Sequence, residues 1–119
     1  MNQEIIDRVT NITKEQIPAM MHDDVRAIIM YGSCARGDYT GDSDVDVAIL
    51  TDSNRAEAKK YGDELDELAT QIGLDTFAIV NFVCLPYQEF EEKKEWYPYF
   101  ISIEKEGVLL YERSSVPLI

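Results

Sequence analysis

The chain has 119 residues, 45% of them hydrophobic, which suits one globular domain of 1–119 able to bury roughly two thirds of its unfolded surface. Twenty-three Asp and Glu against eleven Lys and Arg give a net charge of -12, which argues against a nucleic-acid-binding face and against adhesion to anionic membranes. No apolar run reaches transmembrane length, and MNQEIIDRVT lacks the character of a signal peptide, so the expected location is the cytoplasm, with Cys34 and Cys84 reduced.

In chain order, residues 2–17 read as a helix with Asn2 as cap and Ile5, Val9 and Ile12 on one face, ended or bent by Pro18. His22–Asp24 reads as a turn, with His22 a surface residue. Val25–Tyr31 is a β-branched run that stops at Gly32, hence a strand. Residues 32–43, rich in Gly, Ser, Thr and Asp, form a loop with a helical turn near Cys34–Gly37. Asp44–Leu50 reads as a second strand. A helix then opens on Asp52 or Ser53 and closes at Gly73, with Tyr61, Leu65, Leu68 and Ile72 at helical spacing. Thr76–Leu85 is a long apolar run stopped by Pro86 and is predicted to be a central strand. A polar helical stretch, YQEFEEKKE, precedes a helix with Pro98 at its first position, which ends at Gly107; Val108–Tyr111 makes a last strand. The pattern predicts an α/β fold, a small mixed sheet with flanking helices.

The chemistry concentrates in YGSCARGDYTGDSDVDVAIL, residues 31–50. Asp44 and Asp46 stand two apart, so strand geometry turns both carboxylates to one face. Like charges so placed call for a cation, and two hard oxygen ligands on a rigid strand suit Mg²⁺ that completes its shell with water and substrate phosphates. Gly32 allows close approach of backbone to a phosphate, and Ser33 offers a hydroxyl donor. Together they describe a nucleoside-triphosphate site for in-line phosphoryl or nucleotidyl transfer.

Gly32-Ser33, ten intervening residues, then Asp44-Val45-Asp46 resembles the signature of the DNA-polymerase-β-like nucleotidyltransferase superfamily, and the fuller string resembles the minimal nucleotidyltransferases. That resemblance implies the polymerase-β-like mixed-sheet fold, ATP with Mg²⁺ as nucleotide source, and transfer of AMP to a hydroxyl. In toxin–antitoxin members of the family the acceptor is a tyrosine of a HEPN-type partner. By the same resemblance Asp44 and Asp46 hold metal, Gly32 and Ser33 hold the triphosphate, and Arg36 is a further phosphate contact. The superfamily usually brings a third carboxylate from a later strand; here the polar residue in that strand is Asn81, which cannot act as a general base near neutral pH. Asp75, six residues earlier on the same run, is too far away to replace it if the strand is regular.

Two other readings stand beside the protein adenylyltransferase. One is a non-catalytic antitoxin that neutralises its partner by occlusion. The other is a small-molecule nucleotidyltransferase of the aminoglycoside type, for which a homo-oligomer or a second chain would have to supply the missing wall. The dense aromatics Phe90, Trp96, Tyr97, Tyr99 and Phe100 read in part as core and in part as a partner surface.

Overall fold

The computed structural model describes residues 1–113. A four-stranded mixed sheet separates two layers of helices, with strand order β3-β2-β1-β4. The strands are β1 (Val25–Tyr31), β2 (Val45–Thr51), β3 (Val80–Pro86) and β4 (Val108–Glu112). β1 runs antiparallel to both β2 and β4, and β2 runs parallel to β3. The helices are α1 (Gln3–Met21), α2 (Ser33–Arg36), α3 (Arg55–Ala58), α4 (Gly62–Thr76), α5 (Tyr87–Lys93) and α6 (Pro98–Glu106).

Period-2 alternation along the strands divides the core in two. One face sends Val25, Ile28, Val45, Val47, Ile49 and Val80 against the apolar stripes of α1 and α4, where Ile6, Val9, Ile17, Leu65 and Ile72 are buried. The opposite face sends Ala27, Ala48, Leu50 and Leu85 against Phe90 of α5 and Phe100 and Ile103 of α6. The expected α/β architecture is therefore present, with four local differences.

α1 does not stop at Pro18 but runs through it to Met21. Ile17 and Met21 bury the same stripe as Ile6 and Val9, at 0% and 2% exposure, and that burial outweighs one lost backbone hydrogen bond. The next helical segment caps on Asn54 rather than Asp52 or Ser53: the Asn54 side chain accepts from the Glu57 N–H while Glu57 returns the bond to the Asn54 N–H. Gly73 is passed over as well, because Thr76 continues the buried stripe of Leu65 and Ile72, and α4 ends only at Phe77, in the left-handed region at φ 63°. Asp75 consequently belongs to α4 and not to a strand.

The fourth difference concerns β3, which begins at Val80 and lies at the edge of the sheet rather than its centre. Its apolar run has a different cause. Val80, Phe82 and Cys84 pack toward α4 while Val83 and Leu85 pack toward α5 and α6, so both faces are covered even though one edge is open.

Ser53 and Asp52, freed from capping, tie the far end of the sheet together. Asp24 accepts from the Ser53 N–H at 2.8 Å, the Ser53 hydroxyl at 2.7 Å and the Tyr61 hydroxyl at 2.7 Å. Burial alone would raise the Asp24 pKa, but these bonds, that from Tyr61 foremost, hold it below its ordinary 3.8. The folded value is depressed, so the stabilisation is present above 3.8 and is lost as pH falls through the folded value. Tyr61 moves the other way, pushed by burial and by its bond to Asp24 from 10.0 up to about 12, so its contribution is lost as pH rises through that value. Tyr61→Phe is expected to cost about 1–2 kcal/mol at neutral pH in urea unfolding, with the difference from wild type shrinking in strong acid.

Candidate functional site

Three strands contribute one side chain each to a row across the sheet. Tyr31 of β1 is the antiparallel partner of Asp46 on β2, and Asp46 is the parallel partner of Asn81 on β3. Paired residues project to the same side, so all three stand on the face that α5 and α6 cover further along. Asp44 lies just before β2. Its backbone carbonyl accepts from the buried Cys34 thiol at 3.4 Å, a contact that pins the loop ahead of the strand.

The two carboxylates converge. The Asn81 amide Nδ2 donates to Asp44 Oδ2 at 3.2 Å and to Asp46 Oδ1 at 3.1 Å, so one donor spans both. Among the described residues no third carboxylate, imidazole or thiol completes a cluster with them. The donor set nevertheless fits a hard divalent cation: two carboxylate oxygens already converge on one point, and half a turn of the Asn81 amide would present its oxygen there as a third ligand.

Gly32 closes the row from above. Its φ of 78° belongs to the region that favours glycine, and a Cβ built on it would lie 2.7 Å from Asp46 Oδ2. The backbone therefore rests directly against the carboxylate, closer than any residue with a side chain could come. Ser33 follows as the first residue of α2, while the Gly32 carbonyl accepts from the Ala35 and Arg36 amides. Gly32→Ala is expected to lower stability by about 1–3 kcal/mol, because φ 78° with ψ -160° is a backbone conformation that essentially only glycine adopts. Asp46 would yield by swinging its carboxylate, so nucleotide affinity or transfer should fall at least about tenfold, as read by calorimetry and label transfer.

Arg36 stands beside this cradle but is engaged, with Nε 3.2 Å from Asp38 and a terminal nitrogen 3.0 Å from Glu106. A phosphate would have to take the place of one of these carboxylates. His22 is exposed and remote in role, the last-turn cap of α1 at φ 55°. Tyr39 packs against the α1/α4 core.

One contributor had no pairing signal in the sequence. Tyr99, at the start of α6, places its hydroxyl 2.6 Å from that of Tyr31, with the rings edge to face at 5.9 Å. Burial first, then the bond to Tyr99, holds the Tyr31 hydroxyl well above the ordinary tyrosine range. The Cys34 thiol is likewise raised, by burial and then by Asp46, which leaves it a protonated packing group rather than a nucleophile. Two grooves flank the row. One of about 550 Å³ follows the open edge of β3 between Asn81 and Arg55, and another of about 380 Å³ lies beyond Val83, walled by Trp96, Tyr97 and Tyr99.

Known proteins resemble this chain in sequence and in fold. A Methanocaldococcus jannaschii protein named "putative protein adenylyltransferase" is 31% identical over 87 residues, covering 73% of this chain and 79% of its own. The fold matches that of a toxin–antitoxin crystal structure with AMP-PNP at a TM-score of 0.54 and 18% identity, over 95% of this chain and 75% of that one. It also matches a chain from the complex of a tri-AMPylated Shewanella oneidensis HEPN toxin with an MNT antitoxin, at a TM-score of 0.50 and 17% identity, over 95% of this chain and 74% of that one. Residues 6–111 match the nucleotidyltransferase domain family, and on that match, together with the protein-adenylyltransferase relative, this chain belongs to the nucleotidyltransferases.

Proposed function

We propose that the protein is a Mg²⁺-dependent adenylyltransferase that moves AMP from ATP to a hydroxyl, and that the acceptor is a tyrosine of a HEPN-type partner which it neutralises as an antitoxin. The observation that carries this is the convergence of Asp44 and Asp46 on one point, 3.2 and 3.1 Å from a single amide, beside a glycine whose backbone rests against Asp46. The name of the M. jannaschii relative, and the AMPylated toxin and AMP-PNP of the two toxin–antitoxin structures, support it.

In this reading Asp44 and Asp46 hold the metal, with Asn81 as auxiliary ligand, and Gly32 and Ser33 hold the triphosphate through backbone approach and the Ser33 hydroxyl. Bound Mg²⁺ supplies charge neutralisation on the phosphates. The acceptor oxygen bonds to the α-phosphorus, the bond to the bridging oxygen breaks, and pyrophosphate leaves. Asn81 cannot take the hydroxyl proton, which passes instead to solvent or to the departing phosphate. The chain therefore contributes positioning and electrostatics rather than base catalysis.

The amide at position 81 also favours a second reading, in which the chain keeps the fold and neutralises its partner by occlusion. The deciding experiment is incubation with α-labelled ATP, Mg²⁺ and a HEPN-type partner protein. Label on the partner, lost in Asp44→Ala/Asp46→Ala, supports transfer. Tight partner binding without label in either protein overturns it in favour of occlusion.

A further inference from the structure

The aromatic groove beyond Val83 lies on the same sheet face as the carboxylates. Val83 is two residues past Asn81, hence about 7 Å along the strand. That separation is comparable to the reach of a tyrosine side chain from its Cα, so a tyrosine whose backbone lies at the groove can extend its ring along the strand and bring its hydroxyl to the row of Asp46 and Asn81. Three aromatics line the groove while remaining open to water: Trp96 at 63% exposure, Tyr97 at 45% and Tyr99 at 42%. They step along the groove edge to face, Trp96 against Tyr97 with interplanar angle 73° and Tyr97 against the buried Phe100 at 72°, with the Lys93 ammonium 5.9 Å from the centre of the Tyr97 ring, so the groove joins exposed aromatic surface to a cation. Tyr99 is held in place by its 2.6 Å hydroxyl bond to Tyr31, the register partner of Asp46, so the wall is fixed relative to the site.

The charge in the groove is also distinctive. Glu89 is shared by Arg55, at 2.9 Å, and Lys93, at 3.1 Å. Two cations on one carboxylate leave a local positive excess in a protein whose net charge is -12. Aromatic faces beside an excess cation complement a phenol flanked by carboxylates.

We infer that this groove docks the acceptor: a tyrosine side chain of a partner polypeptide, with an acidic neighbour against Arg55 or Lys93. This rests on the adenylyltransferase reading and assigns the side of the site from which the acceptor enters.

Trp96 is the only tryptophan, so its emission, excited beyond tyrosine absorption, reports the groove directly. The probes are AMP-PNP with Mg²⁺ and the peptide acetyl-Glu-Tyr-Glu-amide. The nucleotide alone is expected to leave the emission unchanged, and the peptide to shift it to the blue in a saturable manner. A shift on nucleotide alone would assign the groove to the base and overturn the inference, as would a peptide that produces no shift up to millimolar concentration. In label transfer to the peptide, Trp96→Ala is expected to raise the KM for peptide about tenfold, with Trp96→Phe restoring most of it. An equal rise in the KM for ATP would count against the assignment. Binding is read without turnover, so absence of label in every protein defeats the adenylyltransferase reading while the fluorescence result stands or falls alone.

Discussion

Asp44→Asn and Asp46→Asn are each expected to lower nucleotidyl transfer at least about a thousandfold while leaving the melting temperature unchanged or raised. The two effects separate because the carboxylates serve charge rather than packing. Without a cation they face each other across a single amide donor, at 3.2 and 3.1 Å. Neutralising either relieves repulsion in the folded state and removes half of the charge available to a divalent ion. Thermal unfolding with and without Mg²⁺ checks this: added Mg²⁺ should stabilise the wild type by mass action and stabilise the variants far less. A variant that lost activity together with several kcal/mol of stability would show that the pair is structural.

Asn81→Asp is the second large effect, and its sign is opposite. Asp46 and Asn81 are register partners on parallel strands, so an aspartate there projects to the same point as the amide it replaces. Three carboxylates would then meet and the bridging donor would be gone, at an expected cost of about 1–3 kcal/mol without metal, recovered on adding Mg²⁺. Transfer should accelerate about a hundredfold, because a base is now placed to take the acceptor proton, and the rate should acquire an acidic limb absent from the wild type. An unchanged rate would mean that proton removal by the protein is not limiting. Label transfer by the variant alone would identify the wild type as an occluding antitoxin with the machinery for catalysis one substitution away.

The carboxylate pair and the glycine cradle were legible because their relation is local: fifteen residues carry Gly32, Ser33, Asp44 and Asp46, and strand periodicity fixes which way the two aspartates point. The fold class followed from the order of apolar runs. Other features depended on partners distant in the chain. The edge position of β3 was hidden because a strand covered on both faces reads like a central one, whatever its hydrogen-bonding neighbours. Pro18 and Gly73 carried strong local stop signals that the burial of Ile17 and Met21, and of Ile72 and Thr76, overrode. Arg36 looked free in sequence, yet Glu106, seventy positions away, occupies it. Tyr99 reaches Tyr31 only because α6 folds back over the sheet, a relation no spacing encodes.

The row Tyr31–Asp46–Asn81 ties the birth of the site to the order of assembly. Tyr31 and Asp46 are joined by a short antiparallel connection, whereas Asn81 arrives only after α3 and α4 have crossed over to lay β3 alongside β2. Closing the longer loop costs more entropy, and a slip of one residue would replace Asn81 by Val80 or Phe82 on the site's face. Ligand competence should therefore be acquired late and all at once, and lost first. In native-state hydrogen exchange the β3 amides are expected to open at lower free energy than those between β1 and β2, and bound nucleotide with Mg²⁺ should narrow that gap.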